Sequence, residues 1–248
     1  MMSHHGKTAL IIGAGDYIGS AIARRFAREG YIVHAGRRNG EKLQPLAEEI
    51  ALEGGVCRAK TLDARDEQSI ANFFAEAEAE APIDVVVFNV GGKVYHPILE
   101  TTERVFRKVW ELSCYAGFLA GREAARYMVP REQGSIFFTG ATASVRGSSG
   151  YSAFAAAKHG LRGHAQAMAR ELGPKNIHVA HLVIDAAVDT TWVRERIRNA
   201  RGDDAVNNLP PDGLMNPESI ASVYWYLHTQ PRDAWTFELD VRPYIEKW

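Results

Sequence analysis

The chain has 248 residues, 46% hydrophobic and 24% charged, with a formal net charge of -1. That is enough sequence for one large α/β core, and so small a net charge gives no global field to attract nucleic acid. The apolar stretch before Gly13 is too short for a signal sequence and no run reaches membrane length, so a soluble, cytoplasmic protein with no membrane partner is expected.

Strand-like and helix-like segments alternate from there on. Ala9-Leu10-Ile11-Ile12 is a short apolar run ending at glycine, the pattern of a buried parallel strand. Ile18, Ile22 and Phe26 then recur at helical spacing. Tyr31-Ile32-Val33 reads as the second strand, with Val56 to Leu62, 84–88 and 135–138 in the same style. Helical stretches are expected over 41–53, 66–80 and 103–129, and a long helix from about Ser152 stops at Gly173-Pro174. Ile177 to Ile184 is a sixth strand. Asn216-Pro217-Glu218 opens a late helix with a capping side chain and a first-turn proline, and Phe237 to Val241 closes the set. The stretch 199–215, rich in Asn, Asp, Gly and Pro, reads as irregular. Such alternation predicts α/β architecture: one doubly wound parallel sheet of about seven strands with helices on both faces, forming a single domain over 1–248. A substrate lid is expected near 190–215. Cys57 and Cys114 fit no disulfide or metal pattern, the histidines show no ligand spacing, and no metal is expected.

Gly13-Ala14-Gly15-Asp16-Tyr17-Ile18-Gly19 joins the first strand to the first helix. Glycines there let the backbone turn tightly, and the free N–H groups and positive dipole end of the helix suit a pyrophosphate. At the end of the second strand stand Arg37 and Arg38, with no acid. Guanidinium groups favour bidentate phosphate recognition, whereas an acid would bond a ribose diol and repel a 2′-phosphate. NADP(H) is therefore the preferred cofactor, with NAD(H) as the alternative.

Taken together, these segments resemble the short-chain dehydrogenase/reductase family over nearly the whole chain. The resemblance implies a Rossmann-like fold. The family's phosphate loop is spaced G-x-x-x-G-x-G; Gly13 and Gly19 match it, while Tyr17 replaces the middle glycine and Asp16 adds a charge. Asp63, followed by Ala64, matches the acid that meets the adenine. Asn89-Val90-Gly91-Gly92 matches the turn after the fourth strand. Val188-Asp189-Thr190 matches the segment bordering the nicotinamide, although Ile184-Asp185-Ala186-Ala187 stands where Pro-Gly is usual. A dimer or tetramer formed through the long helices is implied by the resemblance as well.

The family's chemistry uses a tyrosine that protonates the carbonyl oxygen, a lysine four residues later, a serine thirteen residues earlier and an asparagine that holds a relay water. Here the lysine is Lys158, but Phe154 stands at the tyrosine position, Ala141 at the serine position and Ser113 at the asparagine position. Tyr151, one turn back from Phe154, and Thr142, beside Ala141, are the preferred substitutes; Tyr95 and His96 are further candidates. The expected function is an NADP(H)-dependent oxidoreductase acting on a carbonyl or enoyl small molecule with a non-standard catalytic set. The alternative is a catalytically silent dinucleotide-binding protein that senses or scaffolds.

Overall fold

The computed structural model describes residues 6–247, so residues 1–5 at the head of the chain lie outside the description. The chain folds as β1 (Thr8–Ile12), α1 (Ile18–Arg28), β2 (Ile32–Arg37), α2 (Gln44–Leu52), β3 (Val56–Thr61), α3 (Glu67–Glu80) and β4 (Ile83–Phe88). There follow α4 (Glu103–Trp110), α5 (Ala116–Met128), β5 (Gly134–Thr139), α6 (Ser152–Leu172), β6 (Ile177–Ile184), α7 (Thr191–Arg201), α8 (Asp203–Asn207), α9 (Pro217–His228) and β7 (Glu238–Val241).

The strands form one seven-stranded sheet in the order β3-β2-β1-β4-β5-β6-β7, and every pairing is parallel. Alternation along β1 shows why both faces must be covered. Ala9 and Ile11 pack with Phe26, Val33 and Tyr224 on the face of α1 and α9. Leu10 and Ile12 pack with Phe74, Leu119 and Leu161 on the face of α3, α5 and α6. A central strand buried on both sides must be apolar throughout, which is how β1 reads.

Two expectations are corrected. The helical stretch 103–129 is interrupted by a π turn over Glu111–Tyr115, with Ser113 at its middle; single π turns break a helix while keeping its direction. The stretch 199–215 is not wholly irregular. α7 runs to Arg201, Gly202 at φ 86 ends it, and α8 restarts at Asp203. The adjacent Asp203 and Asp204 favour a helix start, where negative charge meets the positive dipole end. Among the described residues no helix is long and apolar enough to cross a membrane.

Candidate active site

A cleft of about 680 Å³ opens beyond the carboxyl ends of β1, β4, β5 and β6. The strand order reverses between β1 and β4, so their connections leave on opposite faces and a crevice remains between them. The loop 13–19, the turn 89–91, the segment 139–143, the start of α6 and the segment 186–196 wall it.

The loop is fixed by two glycines. Gly13 sits at φ 89, and a Cβ there would lie 2.8 Å from the Asn89 carbonyl oxygen; a Cβ at Gly19 would lie 2.4 Å from the Gly13 carbonyl oxygen. Both contacts are with backbone, so neither position admits a side chain without moving the loop. At Gly15 a Cβ would meet nothing within 4 Å, so that backbone faces open space. The Asn89 side-chain amide donates to the Gly13 carbonyl at 3.0 Å and the Ser20 hydroxyl to the Gly15 carbonyl at 2.8 Å. Behind the loop, the first N–H groups of α1 lack intrahelical acceptors. This cradle fits a pyrophosphate. Asp16, Tyr17 and Ile18 line it, and the Thr191 N–H donates to the Tyr17 phenol at 3.1 Å, which ties the loop to α7.

Arg37, Arg38, Asp63 and Ala64 stand outside the main cleft lining, at the β2 and β3 ends. The Arg37 guanidinium donates to Asp16 at 2.5 Å. Arg65 chelates Asp63 at 2.9 and 2.6 Å, and this bonding holds the Asp63 carboxyl below its ordinary range. Asp63 faces a second, shallower hollow with Trp110 and Tyr115, whereas Ala64 is buried in the core.

Lys158 is buried, and its ammonium donates to the Thr139 carbonyl at 2.7 Å and the Val90 carbonyl at 3.3 Å. Burial lowers it from 10.5 to about 8. Phe154, one turn earlier, is 7% exposed and packs with Ala143, Ala153, Ala157 and Ala141 into an apolar patch. Thr142 and Tyr151 both line the cleft beside that patch. The Tyr151 ring meets Tyr95 edge-on at 5.3 Å, and the Lys93 ammonium lies 5.5 Å from the centre of the Tyr151 ring. The His96 N–H donates to the Gly150 carbonyl, which fixes the Tyr95 loop against the start of α6. Ser113 is fully buried, accepts from the Gly92 N–H at 3.1 Å and does not line the cleft; it braces the turn after β4.

Val188 and Thr190 border the cleft from the other side. Val188 bridges to Met215, and the Thr190 hydroxyl caps α7 by accepting from the Val193 N–H. Gly91 lies beside the Lys158 ammonium, at 3.6 Å from a Cβ built there. Sequence reasoning did not single out Lys93, Arg146, Trp192, Arg196 or Glu246, all of which line the cleft. For Lys93 one signal existed: it directly follows the Asn89–Gly92 turn. Among the described residues, no three His, Cys, Asp or Glu side chains gather in a way that could hold a metal.

The short chain dehydrogenase family matches residues 7–201. A solved short-chain dehydrogenase from Rhodopseudomonas palustris is 53% identical, with a TM-score of 0.83, covering 97% of this chain and 100% of that one. A metagenomic short-chain oxidoreductase solved in complex with NADP is 25% identical, with a TM-score of 0.82 and 97% of this chain covered against 99% of that one. The 3-oxoacyl-[acyl-carrier-protein] reductase MabA of Mycobacterium tuberculosis is 28% identical over 227 residues, 90% of this chain and 86% of that protein.

Proposed function

This chain belongs to the short-chain dehydrogenase family, and from that premise we propose that it is an NADP(H)-dependent oxidoreductase for a small carbonyl or enoyl substrate, working without the family's usual tyrosine. The observation that carries the reading is the joined geometry of the glycine cradle and Lys158 in one cleft. An NADP-bound relative of the same fold supports the cofactor choice, as do Arg37 and Arg38 without an acid at the end of β2.

When bound, the nicotinamide supplies or accepts a hydride at the substrate carbon. The protein's own contributions follow from its residues. Gly13, Gly15, Gly19 and the start of α1 hold the pyrophosphate. Arg37 and Arg38 would take the 2′-phosphate and Asp63 would border the adenine, whereas Ala64, buried in the core, makes no contact with it. Asn89 and Gly91 in the turn after β4, with the segment through Val188 and Thr190, flank the nicotinamide half. Lys158 offers its ammonium to the ribose. Phe154 and Ala141 offer no proton, so the oxygen formed in a reduction would take one from the Tyr151 phenol, from the Thr142 hydroxyl or from water. A positioned general acid is worth about 10²–10⁴ in rate, so turnover without the tyrosine is expected to be slow and to rest on proximity.

The variant Phe154→Tyr with Ala141→Ser tests the reading. It should raise NADPH oxidation with at least one ketone or aldehyde by about tenfold, a modest share of what a general acid supplies. A folded, NADPH-binding variant with no gain on any carbonyl would count against it. Because two of the family's polar groups are replaced by Phe154 and Ala141, a second reading stands beside it: a dinucleotide-binding sensor or scaffold. Absence of turnover in the wild type across the same panel, with NADPH bound, is its signature.

A further inference from the structure

The substrate end of the cleft carries a charge pattern that hydride transfer does not use. Lys93, Arg146 and Arg196 line it from three separate segments: the turn after β4, the loop before α6, and α7. Carboxylates facing the same cleft are Asp16 and Glu246, and Asp16 is engaged by Arg37. Neighbouring arginines on α7 are neutralised: Arg194 pairs with Asp189 at 2.6 Å and Arg198 with Asp203 at 2.8 Å. Arg196, which faces the cleft, has no carboxylate partner among the described residues and lies over the Trp192 ring at 5.7 Å. Lys93 has none either. Its ammonium sits over Tyr151, and burial, with the charge of Arg196 nearby, holds it below its ordinary range. Arg146 approaches Asp185 only at 3.9 Å, while Arg242 approaches the same carboxylate at 3.4 Å.

Three cations lining a concave site where, among the described residues, Glu246 is the one carboxylate not already engaged by Arg37 outnumber the acids, raise the local positive potential and concentrate anions. Beneath them the floor is apolar, formed by Ala141, Ala143 and Phe154. The glycine loop and Arg37 would seat the cofactor phosphates, which would leave this end of the cleft uncompensated. We propose that the substrate is an amphipathic anion. Its carboxylate or phosphate head seats between Lys93 and Arg196 with Arg146 beside them, and its apolar body lies on Ala141, Ala143 and Phe154. The use of the site for reduction rests on the oxidoreductase reading; the preference for an anion does not.

The test is calorimetric titration of the NADPH-saturated protein with benzoylacetate against its ethyl ester, and with phenyl phosphate against phenol. The anionic member of at least one pair should bind about tenfold more tightly, as charge-assisted contacts allow, and the pair that discriminates identifies the head group. The preference should shrink as salt is raised. In Lys93→Gln with Arg196→Gln it should fall below about threefold, the residue left by one remaining cation, while NADPH affinity is unchanged. Equal binding within both pairs, no measurable binding of either anion, or a preference untouched by the double substitution would overturn the proposal. So would a preference that Arg37→Gln abolishes, because the anion would then sit at the adenosine end. Should NADPH itself not bind, the cofactor reading fails, and the same titrations on the cofactor-free protein still decide the head group.

Discussion

Asp16 puts a carboxylate inside the glycine loop proposed to receive phosphate, and its bond to Arg37 gives that charge a second effect. An incoming 2′-phosphate must win Arg37 from Asp16 and also tolerate the repulsion. The Asp16 side chain is 68% exposed, so solvent screens both effects and the gain from removing it is modest. Asp16→Ser should tighten NADPH binding by about three- to tenfold and NADH binding less, as expected for one partly exposed charge; calorimetry with both cofactors reads the ratio, and an unchanged ratio would sink the idea. Lys158 has a pH signature of its own. Burial depresses it to about 8, so in the folded protein the charged form is lost as pH rises through about 8. NADPH affinity should therefore fall between about pH 7 and 9 in the wild type, while Lys158→Gln binds more weakly below about pH 8 and shows no such slope. Stability moves the other way: between about 8 and 10.5 the unfolded chain holds the extra proton, so raising pH relieves the cost of the buried charge.

Among the elements, the contact between the phosphate loop and α7 has the clearest consequence. The Tyr17 phenol receives the Thr191 N–H at the first turn of α7. Tyr17→Phe removes that acceptor without changing ring volume. Amide exchange over 191–193 should rise several-fold, in proportion to a hydrogen bond worth about 1 kcal/mol, with little change in β1 or β4. Unchanged exchange would mean that Thr190 capping alone holds the helix. The sheet itself was legible in the sequence, because strands buried on both faces are apolar runs and glycine or proline marks where helices stop. β1, β6 and α6 come out close to their expected bounds for that reason. The π turn was not legible: it leaves the apolar stripe nearly in phase, so 103–129 reads as one helix. α8 was hidden by a composition that favours turns, although Asp203 and Asp204 suit a helix start. In the site, the glycine cradle could be read from spacing, and Lys158 from the resemblance to the family. Lys93, Arg146 and Arg196 could not, because only the tertiary fold brings three distant segments to one cleft.

At the scale of the molecule, the sheet's last strands are joined to α6 by a partly buried polar cluster, and that cluster predicts how the whole fold answers to acid. Arg162 on α6 donates to Glu238 on β7 at 2.6 and 2.7 Å, and the His181 ring on β6 shares the same carboxylate at 3.0 Å. His181 is fully buried, and its Nε2 has no hydrogen-bond partner among the described residues. Burial pushes its pKa from 6.5 down to about 4, and it lowers His34, His164 and His178 as well. The sign follows from proton counting. Between pH 6.5 and about 4 the unfolded chain protonates His181 and the native chain does not, so the unfolded state binds more protons and stability falls as pH falls. Glu238 acts in the same direction but later, since its pKa is held below 4.5 chiefly by Arg162. A comparison at pH 7 and pH 5.5 therefore isolates the histidines. Over that interval His181 alone should remove about 1 kcal/mol of unfolding free energy. His181→Gln keeps a donor for Glu238 and cannot titrate. Its urea unfolding should lose about 1 kcal/mol less than the wild type between the two pH values, whatever its absolute stability. Parallel losses in the two proteins would mean that His181 is already charged in the native state, with Glu238 outweighing its burial.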